Sequence, residues 1–142
     1  MLNLRGAGHA EEDPTAEMLL LTPVACPLPG RAEGAPKLSG HDGVMIHEGS
    51  RLHAILGVTA IEQEYFCNYE PNPKYRELFE RGDFRICAET PRGEVRAAER
   101  PEHPFFIGVL FQPQRSSKPG APHRLIEAFV RAAAGSFVES SK

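Results

Sequence analysis

Two glutamines follow the most apolar segment of the chain, and their place makes them the first candidates for a functional site. Residues 105–111 carry no polar side chain, and Gln112 and Gln114 then flank Pro113. In α/β enzymes, binding and catalytic groups often lie where a buried strand opens into a loop. A glutamine amide forms hydrogen bonds but has no proton to exchange near neutral pH. The pair therefore indicates a corner for hydrogen bonding rather than for acid–base catalysis.

Histidines are the next group with the chemistry for a site. His41, Asp42 and His47 are close in sequence, and His53 follows one short element later. A zinc site needs three or four converging ligands that further hydrogen bonds hold in place, and this spacing matches no zinc pattern. We therefore predict no metal site, and nothing in the sequence indicates a cofactor.

The three cysteines are widely spaced and odd in number, which favours reduced thiols in the cytoplasm over a disulfide framework. Cys26 and Cys87 lack the glycine neighbours of a nucleophile elbow. Cys67 ends a predicted strand beside a loop, so it is the least ordinary of the three. A structural thiol is the simplest interpretation for all of them, and a redox or nucleophilic role for Cys67 is the alternative.

Composition narrows the class of protein. The chain has 142 residues, enough for one domain, and a formal net charge of −3, which argues against nucleic acid or an anionic membrane as a partner. No apolar run approaches the roughly 18 residues that cross a bilayer, and the N-terminus lacks a signal-peptide pattern. The basic loop 115–124 precedes a predicted helix, where anions can bind, but a solvated loop is the simpler interpretation.

The elements that position these residues follow from local patterns. Strands are predicted over 17–24, from residue 44, over 58–66 and over 105–111, the last covered on both faces. Helices are predicted over 50–57, from Asn72 to Gly82 and from Pro122, and a hairpin over 84–90 and 94–100. Residues 25–43 read as loop, and residues 1–4 as a helix end. Together these elements predict a layered α/β domain with a mixed sheet.

Several segments in order resemble class I glutamine amidotransferase domains, above all the C-terminal region of CTP synthase. YEPNPKYRELFERGDF resembles the family's Tyr-Glu-x-Asn segment and helix, and GEVRAAERPEHPFFIGVLFQPQ its hairpin and last core strand, which normally ends Phe-His-Pro-Glu. SSKPGAPHRLIEAFVRAA resembles its Ser-x-Pro loop and closing helix, and EGSRLHAILG a Gly-Ser segment. The resemblance implies a partial α/β sandwich of the flavodoxin-like type and a family activity of hydrolysing glutamine to ammonia.

The family's catalytic residues do not carry over to this chain. Gln112 stands at the position of the family's histidine, and Gln114 at that of its glutamate. Asn68 stands where an arginine would grip the substrate, so Cys67, Asn68 and Tyr69 are the residues expected to face a ligand. An amide cannot supply the arginine's charge. The resemblance therefore implies a small amide or amino-acid ligand that is bound without glutaminase chemistry.

The resemblance also implies that residues 1–142 form one incomplete amidotransferase-like domain, lacking the half with the nucleophile elbow. A start codon placed too far downstream is the favoured explanation; a truncated gene and a fragment completed by another chain are the others. An apolar, unpaired strand edge would then remain, which predicts poor solubility or a homo-oligomer. The main functional hypothesis is a domain without glutaminase activity, and the alternative is an active ammonia supplier for pyrimidine nucleotide synthesis.

Overall fold

The computed structural model describes residues 4–23, 39–66 and 68–135. The strands are β1 (Ala7–His9), β2 (Met18–Pro23), β3 (Ser39–Ile46), β4 (Ala60–Phe66), β5 (Tyr69–Pro71), β6 (Arg85–Glu89), β7 (Val95–Glu99) and β8 (Ile107–Val109). The helices are α1 (Arg51–Leu56), α2 (Arg76–Arg81), α3 (Pro113–Ser116) and α4 (Arg124–Ala133), and a 3₁₀ turn (Pro73–Tyr75) precedes α2.

The described strands form two sheets. The larger sheet has the order β4-β3-β6-β7-β8, and all its pairings are antiparallel. The smaller sheet has the order β1-β2-β5, and its β1–β2 pair is parallel. The predicted α/β class is confirmed, but the mixed pairing that was predicted for the sheet with the hairpin occurs in the smaller sheet. The composition of residues 1–16 did not indicate the strand β1 of that smaller sheet.

Local signals account for the elements that were predicted well. Ser50 caps α1 by accepting from the backbone N–H of His53, and Gly57 ends the helix in the left-handed conformation at φ 72°. Asn72 caps the following turn, as expected, although that turn is 3₁₀ before α2 begins. The hairpin β6–β7 turns at Gly93, whose φ of 85° suits glycine.

Four expectations were wrong. β3 begins at Ser39, inside the predicted loop, because residues 39–45 pair with β4 along their length; residues 25–38 and 1–3 lie outside the described ranges. The predicted strand 105–111 contains only β8, which is an edge strand. Residues 105–111 are not covered on both faces as predicted, since Phe106 is 40% exposed. Gln114 lies in the short helix α3 rather than in a loop.

The core lies between the larger sheet and helices α1 and α4. Its buried apolar side chains come from β3, α1, β6, β7 and α4, together with the residue that precedes Gln112: Val44, Ile46, Leu52, Leu56, Cys87, Ala88, Ala97, Phe111 and Leu125. The predicted apolar face of α4 is only partly covered, because Phe129 and Val130 are 56% and 57% exposed.

A buried carboxylate ties α1 to the hairpin. Glu99 of β7 is fully buried and accepts hydrogen bonds from the backbone N–H groups of Arg51 and Leu52, each at 3.1 Å. Its oxygen Oε1 also pairs with the guanidinium of Arg85. The carboxylate thus supplies acceptors for donors that have no partner within the first turn of a helix.

Candidate functional site

The corner predicted from the two glutamines lies where the larger sheet curls onto itself. The backbone N–H of Gln112 donates to the carbonyl oxygen of Glu64 at 2.9 Å. Glu64 belongs to β4, and Gln112 follows β8, so this bond joins the two opposite ends of the strand order. The corner is therefore held by backbone contacts that are independent of the side chains at these positions.

The two glutamine side chains differ in environment. Gln112 is half-buried and precedes α3, and its side chain makes no capping hydrogen bond to that helix. Gln114 is exposed on α3. Pro113 opens the helix at a position where its missing N–H costs nothing. Amide groups of both glutamines are thus presented at one corner, one partly shielded from water and one facing it.

An ion pair lies across the same closure. Arg115 of α3 has its Nη2 2.7 Å from Oε1 of Glu64, with side chains that are 49% and 30% exposed. The hydrogen bond from Arg115 holds the pKa of the Glu64 carboxyl below its usual value. His41 of β3 lies opposite Glu64 in the β3–β4 ladder, and its electrostatic interaction lowers the pKa of Glu64 by a smaller amount. The Glu64 carboxylate is therefore ionised and bound by Arg115, and it is a weak base.

One histidine lies close behind the corner. The ring of His123 is 6.4 Å from that of Phe111, the residue before Gln112. Its Nδ1 accepts from the backbone N–H of Leu125 at 3.2 Å and caps α4. Burial lowers the pKa of His123. The imidazole is therefore held neutral, with Nδ1 occupied by the helix.

The candidates around residue 68 are divided between described and undescribed positions. Tyr69 opens β5 of the smaller sheet, and its ring packs on that of His9 at 4.7 Å. Asn68 immediately precedes this strand, and Cys67 lies outside the described residues. Tyr69 thus lies in the smaller sheet whereas the glutamines follow β8 of the larger one, and their common role in a ligand site stays a prediction.

Cys87 and His47 lie in structural environments. Cys87 is buried, and burial, followed by the Glu99 carboxylate, raises the pKa of its thiol to about 12. His47 is bonded through Nδ1 to the carbonyl of Ile86 at 3.1 Å and through Nε2 to Glu89 at 2.8 Å. Within the described ranges, no group of three or more His, Cys, Asp or Glu side chains could hold a metal ion. Cys26 lies outside those ranges.

Known proteins resemble the chain in both sequence and structure. CTP synthase of Rhizorhabdus wittichii is 38% identical over 105 residues, which are 73% of this chain and 19% of that protein. CTP synthase of Roseiflexus castenholzii is 34% identical over 110 residues, 77% of this chain and 20% of that protein. No protein-family model matches the chain.

The chain is related to CTP synthase. Its fold is that of the glutaminase domain of Trypanosoma brucei CTPS, solved with bound acivicin, at a TM-score of 0.84 and 24% identity. That match covers 95% of this chain and 53% of the solved chain. The chain spans about a fifth of the length of the curated CTP synthases that it matches. In the part of the chain that the structure describes, no helix is long and apolar enough to cross a membrane.

The relationship to CTP synthase confirms the resemblance read from the motifs, including the flavodoxin-like fold. Sequence reasoning missed Glu64 as a partner of the corner, and it placed Arg115 and His123 only in a basic loop. Glu64 was missed because Arg115, its ion-pair partner, lies 51 positions further along the chain, and neither segment has a local pattern that predicts their contact. The sequence could have predicted that His123 caps α4, since a polar residue just before a segment with helical apolar periodicity is typical of a helix cap.

Proposed function

We propose that this chain is a glutamine amidotransferase-like domain related to CTP synthase that binds a small amide or amino acid without hydrolysing it. The observation that carries the proposal is the pair Gln112 and Gln114 at the corner where the family resemblance places histidine and glutamate. Hydrolysis by a cysteine nucleophile needs a base to take its proton and an acid to protonate the leaving ammonia. Two amides supply neither function.

Neither the groups near the corner nor the buried thiol of Cys87 replaces the missing pair. The Glu64 carboxylate is bonded to Arg115, which lowers its pKa and weakens it as a base. Nδ1 of His123 is committed to capping α4. The Cys87 thiol is buried, and its raised pKa keeps it protonated at neutral pH. These environments support binding by hydrogen bonds over acid–base catalysis.

Amide side chains suit a ligand that has both a donor and an acceptor. Each glutamine offers one carbonyl oxygen and one NH₂ group, which match the same groups of a carboxamide ligand. The solved relative from Trypanosoma brucei holds acivicin, so acivicin and glutamine are the probes of choice. Because the relatives are several times longer than this chain, their activity as whole proteins is carried over only as part of this proposal.

The decisive experiment measures binding and hydrolysis separately. Calorimetric titration of the chain with glutamine and with acivicin tests binding, and glutamate release tests hydrolysis, both on the chain and on a version extended upstream in the genome. We expect no glutamate release from either form. Glutamate release that stops when an upstream cysteine is replaced would contradict the proposal.

Matched variants test whether the corner is the binding site. Gln112→Leu and Gln114→Leu remove the amides while keeping similar volume, and we expect each to weaken ligand binding at least about tenfold. Gln63→Leu, on β4, is the control because it removes an amide of the same kind elsewhere. Equal affinity in all three variants would place the ligand elsewhere.

An active ammonia supplier in CTP synthesis is the second candidate, and the similarity to curated CTP synthases favours it. The double variant Gln112→His/Gln114→Glu separates the two candidates. If the corner has abandoned hydrolysis, the double variant of the upstream-extended chain gains glutamate release that the parent lacks. If the parent already hydrolyses glutamine, the ammonia supplier is correct.

A further inference from the structure

Glu64 contacts two residues of the glutamine corner, one through its backbone and one through its side chain. Its carbonyl oxygen accepts from the backbone N–H of Gln112 at 2.9 Å, and its side-chain oxygen Oε1 lies 2.7 Å from Nη2 of Arg115. The backbone N–H of Arg115 donates in turn to the carbonyl oxygen of Gln112 at 3.1 Å. Each of the three residues thus contacts the other two, and the Arg115–Glu64 ion pair lies beside Gln112.

The ion pair uses only part of its hydrogen-bonding capacity. It joins Nη2 of Arg115 to Oε1 of Glu64. In the described part of the chain, Nε and Nη1 of the guanidinium and Oε2 of the carboxylate have no protein partner. A guanidinium carries five N–H donors, and each carboxylate oxygen accepts more than one hydrogen bond. Because both side chains reach water, a ligand in the corner has access to these donors and acceptors.

An ion pair with free donors and acceptors favours a ligand that is itself a zwitterion. A free α-amino acid carries a carboxylate and an ammonium group on the same carbon. When it lies head to tail beside Arg115 and Glu64, every charge has opposite charges as its neighbours, and the attraction is strongest. A ligand with a single charge is attracted by one member of the pair and repelled by the other. The pair therefore selects a zwitterion over a simple anion or cation.

The corner also suits the other end of such a ligand. Gln112 immediately precedes α3, and Arg115 lies three positions later in the turn that their backbone bond closes. Side chains at this spacing are neighbours, with Cβ atoms about 5–6 Å apart, and the side chain of a carboxamide amino acid such as glutamine spans a comparable length. Its amide can therefore contact the half-buried Gln112 side chain while its charged end contacts the ion pair.

We propose that the Arg115–Glu64 pair determines the specificity of the corner: Arg115 binds the carboxylate and Glu64 the ammonium of an α-amino acid whose side-chain carboxamide contacts Gln112. This inference rests on the proposed function and narrows its ligand from small amides in general to zwitterionic amino acids. The pair is suited to recognition because exposed ion pairs contribute little to stability, so the fold does not depend on either charge. The backbone bond between Gln112 and Glu64 does not involve their side chains.

The first test compares ligands on the unaltered chain. Glutamine has both charges, glutaramic acid lacks the ammonium group, 4-aminobutanamide lacks the carboxylate, and butyramide lacks both. Titration followed by nuclear magnetic resonance gives the dissociation constants, including those of weak ligands. We expect glutamine to bind at least about tenfold more tightly than each of the others. This preference should shrink at high salt, because salt screens exposed charges.

The second test removes one charge of the pair at a time. Glu64→Gln removes the repulsion of an anion, so this variant should bind glutaramic acid more tightly than the parent does, and glutamine about tenfold less tightly. Arg115→Gln should likewise gain affinity for 4-aminobutanamide and lose affinity for glutamine. Glu127→Gln and Arg131→Gln, which break an exposed ion pair on α4, are the matched controls and should keep the affinities of the parent. A general loosening of the corner would instead weaken the binding of every ligand.

The outcomes separate this inference from the proposed function. If the parent binds none of these ligands, the proposed function is wrong and the inference is wrong with it. If the parent binds glutamine and butyramide equally well, or if both variants keep the parent's affinity for glutamine, the corner binds amides without help from the ion pair. A uniform loss for all ligands in Arg115→Gln would give the pair a purely structural role. Thermal melts identify the folded variants, and the ligand comparison on the parent decides the question if a variant unfolds.

Discussion

The backbone N–H of Gln112 lies 2.9 Å from the carbonyl oxygen of Glu64 and joins the two outermost strands of a five-stranded order. Gln112, which the family resemblance places at the position of the catalytic histidine, is thus also the residue whose backbone links the β8 side of the sheet to β4. A substitution of its side chain leaves that backbone bond intact. The change of chemistry proposed for this corner, from proton transfer to amide hydrogen bonding, therefore does not require a change in the fold around it.

The ion pair at the closure should contribute little to stability. Arg115 and Glu64 are both well exposed to water, and exposed ion pairs gain little because water and salt screen them. We expect Arg115→Ala to lower the melting temperature by a few degrees at most at low salt, and not at all at high salt. Arg131→Ala, which breaks the exposed pair with Glu127, is the control. A large, salt-independent loss for Arg115→Ala alone would show that the pair holds the closure.

The buried carboxylate of Glu99 should matter far more. Glu99→Ala leaves the Arg51 and Leu52 N–H groups without their acceptor and empties a buried site. We expect a loss of about 2–4 kcal/mol in the free energy of unfolding, measured by urea denaturation. Glu77→Ala, at an exposed position of α2, should change the free energy of unfolding far less. Equal losses in the two variants would contradict the role of Glu99.

Glu99 also predicts the acid limit of stability. Burial opposes ionisation, but hydrogen bonds from Arg85 and from the Arg51 and Leu52 N–H groups outweigh it and hold the pKa of Glu99 below the ordinary 4.5. A depressed carboxyl pKa stabilises the fold above that ordinary value, and this contribution is lost as pH falls toward the folded pKa. Glu99→Gln should therefore flatten the decline in unfolding free energy below about pH 4.5; an unchanged slope would contradict the assignment.

His123 predicts a second, milder pH dependence. Burial lowers the pKa of His123 below its ordinary 6.5, so the unfolded chain takes up the proton more readily than the folded one. The contribution of His123 to the free energy of unfolding is therefore fully present above pH 6.5, and the free energy of unfolding declines as pH falls below that value. His123→Asn keeps an N-cap and should remove this decline between neutral pH and pH 5, as measured by urea midpoints. His53→Asn is the control, and a decline that persists in His123→Asn would exclude this source.

Thiol labelling separates the cysteines. The buried Cys87, with a pKa raised to about 12, should resist alkylation in the folded protein and react after unfolding. Mass spectrometry of a time course with iodoacetamide gives the order of reaction, and Cys87→Ser identifies the slow site. Selective labelling of Cys67 ahead of Cys26 would support a reactive role for Cys67, whereas slow, uniform labelling would remove that alternative.

Elements with local signals were predictable from sequence. The Asn72 cap, the Gly57 stop and the Gly93 turn each depend on residues within a few positions, and the structure confirms them. The start of β3 was not predictable, because its pairing with β4 overrides a glycine-rich composition. The length of β8 was overestimated because an apolar run was taken as fully buried.

The candidate site divides in the same way. Gln112 and Gln114 could be named as candidates from sequence order alone, since an apolar run that ends in polar residues is visible without a structure, and their role in a site stays a prediction. Glu64 was not, because its contact with Gln112 depends on how the sheet curls. Long-range contacts of this kind leave no periodic pattern in either segment.

The cap that Glu99 provides to α1 also bears on the order of folding. α1 has six residues, too few for an isolated helix to be stable in water. Two of its first N–H groups are satisfied by a carboxylate that lies 47 and 48 positions further along the chain. The hairpin that carries Glu99 closes over a much shorter loop, which favours its earlier formation. We therefore expect α1 to be among the last elements to form during refolding, and its amides to gain protection after those of β6 and β7.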